Sequence, residues 1–351
     1  MVNYPHEQFE RDIKIQLGEG KHRRHDISGQ RRYAMMMEDA ERTYELTAKT
    51  DLWTGNADRE PNRLIITGLL GSIRWWFEVL VRGLNGHACD PTRTQCEGRS
   101  HCVVCELFGC TGWARKFRFE VLDKDGNVQA DQIQIEKEPN FSLRFTPLRP
   151  IRVEEWSLLD ATLHLIAEYG AIGGKTVFKP TDEDNRTEEP HHQDFGLAQI
   201  SSSRQFAGIR RKDLETYLSQ WKRLNHGEFA WASLQHFWYV KCVKERYLGR
   251  KNNDESTFNR VLGRQEAKKQ GQDLLNPANK KDQWLAGSQR VSKKVFSFKD
   301  PARTFGFVKP GVIDFEEMKE RLEDVWGQDG WQFLTGDAIL EQLFPKGEKQ
   351  A

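Results

Sequence analysis

The sequence predicts an α+β protein of two domains, and three observations predict it. A chain of 351 residues exceeds what one hydrophobic core usually organises. Residues 41–205 switch between a strand-like period of two and a helix-like period near 3.6, in the order strand, helix, strand, strand, helix, strand. Residues 206–351 carry a weaker version of the same mixture.

The first 40 residues are charged and without period, which reads as an N-terminal arm. Tyr44, Leu46 and Ala48 then alternate with Thr43, Glu45 and Thr47, the pattern of a half-buried strand. Thr54 to Arg63 is turn-rich, with Gly55, Asn56, Asp58 and Pro61. Leu69, Ile73, Trp76, Leu80 and Leu84 share one helix face, Arg74 and Glu78 form an i,i+4 pair on another, and Gly83 or Gly86 ends the helix. Phe117, Phe119 and Val121 mark a second strand, and Asp125-Gly126-Asn127 a turn. Phe141, Leu143 and Phe145 mark a third strand that stops at Pro147. A second helix from Glu154 to Tyr169 buries Leu158, Thr162, Leu165 and Tyr169, with Gly170 as its left-handed cap. Asp194 to Ile200 closes the set as a strand.

That order is the split βαβ unit of the ferredoxin-like fold. Two helices cover one face of its four-stranded sheet and leave the other for a partner, the layout of RNA-recognition modules. In the second half, Lys212 to Leu224 reads as helix, Phe237 to Lys241 as strand, Asp254 to Gln272 as polar helix and Val291 to Phe298 as strand. Asp314 caps a helix striped by Phe315, Met318, Leu322 and Val325. The expectation is therefore two ferredoxin-like (RRM-like) domains, over residues 41–205 and 206–351, the first carrying an insertion at residues 87–110.

Hydrophobic residues make up 37% and charged residues 30%, while 11 Trp and 20 Phe supply a large apolar area per residue. The formal net charge of +1 argues neither for nor against nucleic acid, because only the distribution of charge matters for phosphate binding. Basic clusters at Lys21, Arg23 and Arg24, at Arg210, Arg211 and Lys212, and at Lys293 and Lys294 each read singly as solvated faces. No run approaches the roughly 18 apolar residues of a membrane span, and Met1 to His25 lacks the apolar core of a secretory signal. The expected location is the cytoplasm.

Five of six cysteines fall between Cys89 and Cys110. In a reducing compartment such a cluster reads as metal ligation before disulfides. Cys89, Cys96, Cys102 and Cys105 form the expected set, a structural Zn²⁺ knuckle over residues 87–110 whose CxxC lets two thiolates reach one ion. The segment Asp90 to His101 has little to bury, so metal binding supplies its folding energy. Four sulfurs leave no position for a catalytic water. His87, His101 and Cys110 are the rival ligands.

Three segments together resemble the RAMP superfamily of CRISPR proteins. Gly71-Ser72-Ile73-Arg74-Trp75-Trp76-Phe77, after the loop Thr54-Gly55-Asn56-Ala57-Asp58, looks like that family's helix motif. Glu106-Leu107-Phe108-Gly109, followed by Ala114-Arg115, is similar to its turn before a strand. Tyr169-Gly170-Ala171-Ile172-Gly173-Gly174-Lys175 looks like its glycine-rich loop. The Arg-Trp-Trp combination is closest to the first-subunit family of Cmr, or type III-B, complexes. The sequence departs from the pattern where Lys179 gives way to an acidic, His-containing insert at 181–193 instead of a basic arm.

The resemblance implies a non-catalytic RNA-binding subunit of an RNA-guided effector in antiviral defence, contacting guide crRNA, single-stranded target RNA and other Cmr-type subunits. A guanidinium at Arg74 and the amides of Gly173 and Gly174 suit phosphate, with Lys175, Lys179 and Arg115 beside them. The alternative is an endoribonuclease, using Asp58 or Asp51 with a metal, or His25, His191 or His192 as general base.

Overall fold

A computed structural model describes residues 37–38, 40–54, 64–90, 95–129, 134–173, 180–189, 192–206, 208–224, 227–242, 246–252, 255–264, 279–287 and 291–345. Residues Met1–Glu38 and Asp39–Ala351 are separate compact units. Of the first, the described part is the short strand Met37–Glu38; the second carries both four-stranded sheets.

The first sheet holds β1 (Arg42–Ala48), β2 (Phe117–Leu122), β3 (Asn140–Pro147) and β4 (Ala198–Ile200). They lie in the order β2-β3-β1-β4, every neighbouring pair antiparallel. Tyr44 sits opposite Leu143, and Phe119 opposite Phe145, so one apolar face is continuous across the strands. Helices α1 (Ile66–Gly83) and α3 (Val153–Tyr169) connect β1 to β2 and β3 to β4, and α2 (Val103–Phe108) lies in the first connection. The stripe Leu69, Ile73, Trp76, Leu80 and Leu84 is buried as its spacing requires.

The opposite face of this sheet shows Thr43, Glu45, Thr47, Arg118, Glu120, Ser142, Arg144 and Gln199. Arg144 pairs with Glu120 at 3.0 Å and Glu41 at 3.8 Å. This face is open and polar and carries no aromatic side chain among its described residues. It lacks the stacking platform by which RNA-recognition sheets hold bases.

Gly170 departs from expectation. Its φ of −113° and ψ of −153° are extended, so it is no left-handed cap. Glycine is needed there because a Cβ would lie 2.5 Å from the Trp76 ring. Closing strand β4 is shorter than the expected Asp194–Ile200, because Gly196 leaves the sheet to bond Asp51 and Ile172.

The second sheet holds β5 (Phe237–Cys242), β6 (Val295–Lys299), β7 (Ala302–Phe307) and β8 (Trp331–Thr335), in the order β8-β5-β7-β6, again antiparallel throughout. Counted from its own first strand, this is the strand order of the first sheet. Helix α4 (Arg211–Ser219) precedes it, α5 (Thr257–Val261) and α6 (Lys280–Ala286) fill its first connection, and α7 (Phe315–Trp326) its last. Asp314 caps α7 by accepting from the Glu317 amide at 2.9 Å. Helix α8 (Gly336–Leu343) ends the described chain.

Both faces of this sheet are covered. Phe237, Phe305 and Phe307 join the core of the first sheet, where Trp76 meets Phe237 and Phe305 at 5.8 and 6.0 Å and Trp75 meets Phe307 at 5.7 Å. Trp238, Val240 and Val295 pack on the other side with Phe258, Met318 and Leu322.

Candidate metal centre and nucleic-acid interface

Helix α1 ends at Gly83, and the chain then brings Cys89 back beside the helix. Cys96 precedes a tight turn at Gly98, where the Glu97 and Ser100 amides exchange bonds with each other's carbonyls. Cys102 stands at the N-terminus of α2 and Cys105 one turn into it. The four Sγ atoms lie within 4.8 Å of one another and all four residues are buried. Tetrahedral zinc, with Zn–S near 2.3 Å, sets sulfurs about 3.8 Å apart; Cys89 and Cys105 stand at 3.4 Å. Among the described residues no other group of three or more His, Cys, Asp or Glu side chains converges this way.

The rival ligands point elsewhere. His87 Nδ1 is 2.9 Å from the Leu224 carbonyl. His101 has Gly98 O at 2.5 Å and Glu106 Oε2 at 2.7 Å. The Cys110 thiol faces the Thr111 carbonyl at 3.8 Å.

Donors surround the sulfurs. Arg74 Nη2 points at Cys105 Sγ at 3.4 Å and Cys89 Sγ at 3.8 Å, and the Cys102 amide points at Cys96 Sγ at 3.3 Å. Arg74 also donates Nη1 to Gly109 O at 3.0 Å and Nε to Glu78 at 3.2 Å. The expected Arg74–Glu78 pair is therefore present, and Glu78 pairs with Arg82 as well, at 3.5 Å.

A buried polar chain leads from the knuckle across to α3 and α4. Glu106 takes His101 on one oxygen and Lys116 on the other at 2.5 Å; Lys116 reaches Glu155 at 3.0 Å, and Glu155 accepts from Tyr217 at 2.9 Å. Burial raises the Glu106 pKa, but Lys116 and His101 outweigh it and hold the carboxyl below its ordinary range. Lys222 closes the knuckle from outside, donating to Gln95 O at 2.8 Å and to Ser100 Oγ at 3.1 Å.

The three motif segments are bonded to one another. Ser72 Oγ accepts from the Gly173 amide at 3.0 Å, Trp76 Nε1 donates to Ala171 O at 2.8 Å, and Arg74 meets Gly109. Gly173, at φ +119°, has its Cα hydrogen where a Cβ would lie 2.6 Å from the Trp53 carbonyl. Glycine at 173 is thus required by packing against the chain itself, and its amide is already engaged. Ile172 and Gly196 then bond across at 2.7 Å, and Gly196 donates to Asp51 O at 2.8 Å. Gly174, Lys175 and Lys179 of the glycine-rich loop, Asp58 of the first loop, His25 and His191 lie outside the described residues. Arg115 is half-buried after the Gly109 turn.

Beside this junction is an open cavity of about 370 Å³, lined by Asp51, His192, Asp194, Lys137 and Lys299 among others. Asp51 accepts from the Lys137 amide at 2.7 Å. Asp194 Oδ2 accepts from the amides of Lys299 and Asp300 at 2.8 and 2.9 Å, while its Oδ1 is buried with no partner among the described residues. Burial pushes the Asp194 pKa up to about 6 against those two amides. The motifs assign Asp194 no role, and Ser72, although it stands inside the first motif, carries no assigned role there. Asp194 meets Asp51 only through the fold, and Ser72 reads as an ordinary helix residue until Gly173 is placed on it.

Residues 45–178 match the sequence profile of the RAMP superfamily. That span contains all three motifs and the four cysteines. No curated protein matches the sequence. Among solved structures, apo Cmr1 from Pyrococcus furiosus is similar at 10% identity, covering 87% of this chain and 97% of that one with a TM-score of 0.37. A chain of the type III-B Cmr-beta bound to cognate target RNA and AMPPnP, in the presence of ssDNA, is similar at 10% identity, covering 82% and 99% with a TM-score of 0.39.

Proposed function

We propose that this chain is a RAMP-superfamily, RNA-binding subunit of a type III-B (Cmr) CRISPR effector, without catalytic activity of its own. The observation that carries this is the convergence of three RAMP-like segments, within residues 45–178, through the Ser72–Gly173 and Arg74–Gly109 bonds. Both sheets are read as ferredoxin-like from their shared strand order, and two domains, 41–205 and 206–351, follow the arm of residues 1–40. The four cysteines hold a structural Zn²⁺, which ties the loop after α1 to α2 and supplies no water-activating position.

RNA is read here at the loop end and not on the sheet face, because that face offers no aromatic rings among its described residues. Gly173 positions the loop, and Gly174, Lys175, Lys179 and Arg115 contact the backbone of guide or target RNA. Other Cmr-type subunits complete the assembly, which works in the cytoplasm. Unrelated single-stranded RNAs titrated against wild type and Lys175→Ala at two salt concentrations test this. The variant should weaken all sequences about equally and lower the salt slope by about one phosphate contact. Equal binding by both proteins sinks the proposal, and a loss for one sequence alone means base readout.

A second reading, an endoribonuclease, is favoured by one observation. Asp51 and His192, two candidates from the sequence, line one cavity with the elevated Asp194. Against it, no metal-ligating carboxylate group converges there among the described residues. Labelled RNA incubated with purified protein, with and without divalent metal, decides between the readings; cleavage lost in Asp194→Asn would establish the second.

A further inference from the structure

We infer that Arg74 is a positioning residue of the four-cysteine centre, holding the Cys89 and Cys105 thiolates in place, and is not a phosphate contact. The inference rests on the reading that these cysteines bind a metal. Four thiolates on a divalent cation leave two net negative charges in a buried site, and uncompensated buried charge is costly. The structure supplies donors where that charge would sit. Arg74 Nη2 serves Cys105 at 3.4 Å and Cys89 at 3.8 Å, and the Cys102 amide serves Cys96 at 3.3 Å.

The guanidinium is itself fixed. Glu78 takes Nε and the Gly109 carbonyl takes Nη1, leaving the Nη2 edge for the sulfurs. Arg74, Glu78 and Arg82 are spaced i, i+4, i+8 on α1 and so share one stripe. Arg82 extends the row by donating to the carbonyls of Cys89 at 3.4 Å and Ala232 at 3.0 Å. Only a planar fork can satisfy a carboxylate, a carbonyl and two sulfurs together; an ammonium at this position keeps the charge and loses the geometry. Outer-sphere partners of this kind orient metal ligands and tune them.

The test uses the full chain loaded with Co²⁺, whose sulfur-to-metal absorption reports on thiolate electrons. Hydrogen bonds and positive charge stabilise the sulfur lone pairs, so their removal lowers the transition energy. Arg74→Lys and Arg74→Ala should each shift the band to longer wavelength while it keeps its tetrathiolate intensity. Zinc transfer to a chromogenic chelator should quicken roughly 10-fold or more. Lys222→Ala, which frees the knuckle without touching a sulfur, should leave the band in place, separating positioning from general loosening. Should Arg74→Ala not fold, Arg74→Lys carries the test alone.

An unshifted band in cobalt-loaded Arg74 variants overturns the inference. So does a uniform loss of single-stranded RNA affinity in Arg74→Ala with an unchanged band, which would make Arg74 a phosphate contact. Failure of the wild type to bind any metal would overturn the centre itself, an outcome distinct from both.

Discussion

Ser72 and Gly173, 101 positions apart, are joined by a 3.0 Å hydrogen bond from the glycine amide to the serine hydroxyl. Helix α1 thereby fixes the start of the glycine-rich loop, with Trp53 O closing the other side of Gly173. Two segments far apart in the sequence are here a single mechanical joint.

One zinc per chain is expected in protein purified without chelator, measured by elemental analysis. Cys102→Ser should raise amide exchange across residues 87–110 and leave β1, β2 and β3 protected, because the sheet has its own apolar face. Unfolding of the whole chain on this substitution would show that the knuckle is no local staple.

Lys116 lies between Glu106 and Glu155, and all three are largely sheltered from water. Lys116→Met leaves two carboxylates facing one another without their cation and should cost about 3–5 kcal/mol in denaturant unfolding. Adding Glu155→Gln should recover part of that loss. A cost near zero for the single variant would mean that the pair is loosely held.

Lys294 has no carboxylate partner among the described contacts. It donates to Ser292 and lies 4.4 Å from the Trp231 ring centre and 5.2 Å from that of Trp284. Burial, with a smaller contribution from Lys309, pushes its pKa down to about 8. The folded state therefore binds fewer protons than the unfolded state between about pH 8 and 10, and stability rises with pH across that window. Lys294→Met should abolish this rise and stabilise the protein at pH 7 by about 1–3 kcal/mol. Thermal unfolding at pH 7 and 9.5 checks both signs, and a less stable variant at pH 7 would refute the account.

Gly170→Ala places a methyl 2.5 Å from the Trp76 ring. The ring is pinned by its own bond to Ala171 O, so an overpacking cost of about 1–3 kcal/mol is expected, with a change in the near-ultraviolet tryptophan signal. A neutral substitution would show that the ring yields freely.

The first half was legible because its sheet has one wet face. Tyr44, Leu46 and Ala48 alternate with polar neighbours; β1, β2, β3 and α3 lie within a residue or two of their expected bounds, and α1 ends at the expected Gly83. The second sheet is covered on both sides, so Phe237 and Trp238 are buried in succession, as are Val295 to Phe298. Alternation disappears there, and β7, β8 and α8 drew no expectation at all. Helix α4 stops at Ser219, before the expected Leu224. The cysteine set was readable from spacing, and Arg74–Glu78 from helical period. Their meeting was not, since it depends on how Cys89 turns back after Gly83. The cavity of Asp51 and Asp194 was hidden for a similar reason: it forms only when β1's end meets the segment before β4.

The ring contacts of α1 bear on how the chain is made. Trp75 and Trp76 emerge early in synthesis, yet Phe237, Phe305 and Phe307, on which they rest, are translated much later. The nascent first half therefore presents an uncovered indole pair to whatever surrounds the ribosome exit. A fragment truncated near residue 205 would carry that exposed seam permanently, so expressing the halves separately would favour aggregation, and joint expression would rescue them only where the seam is closed in time.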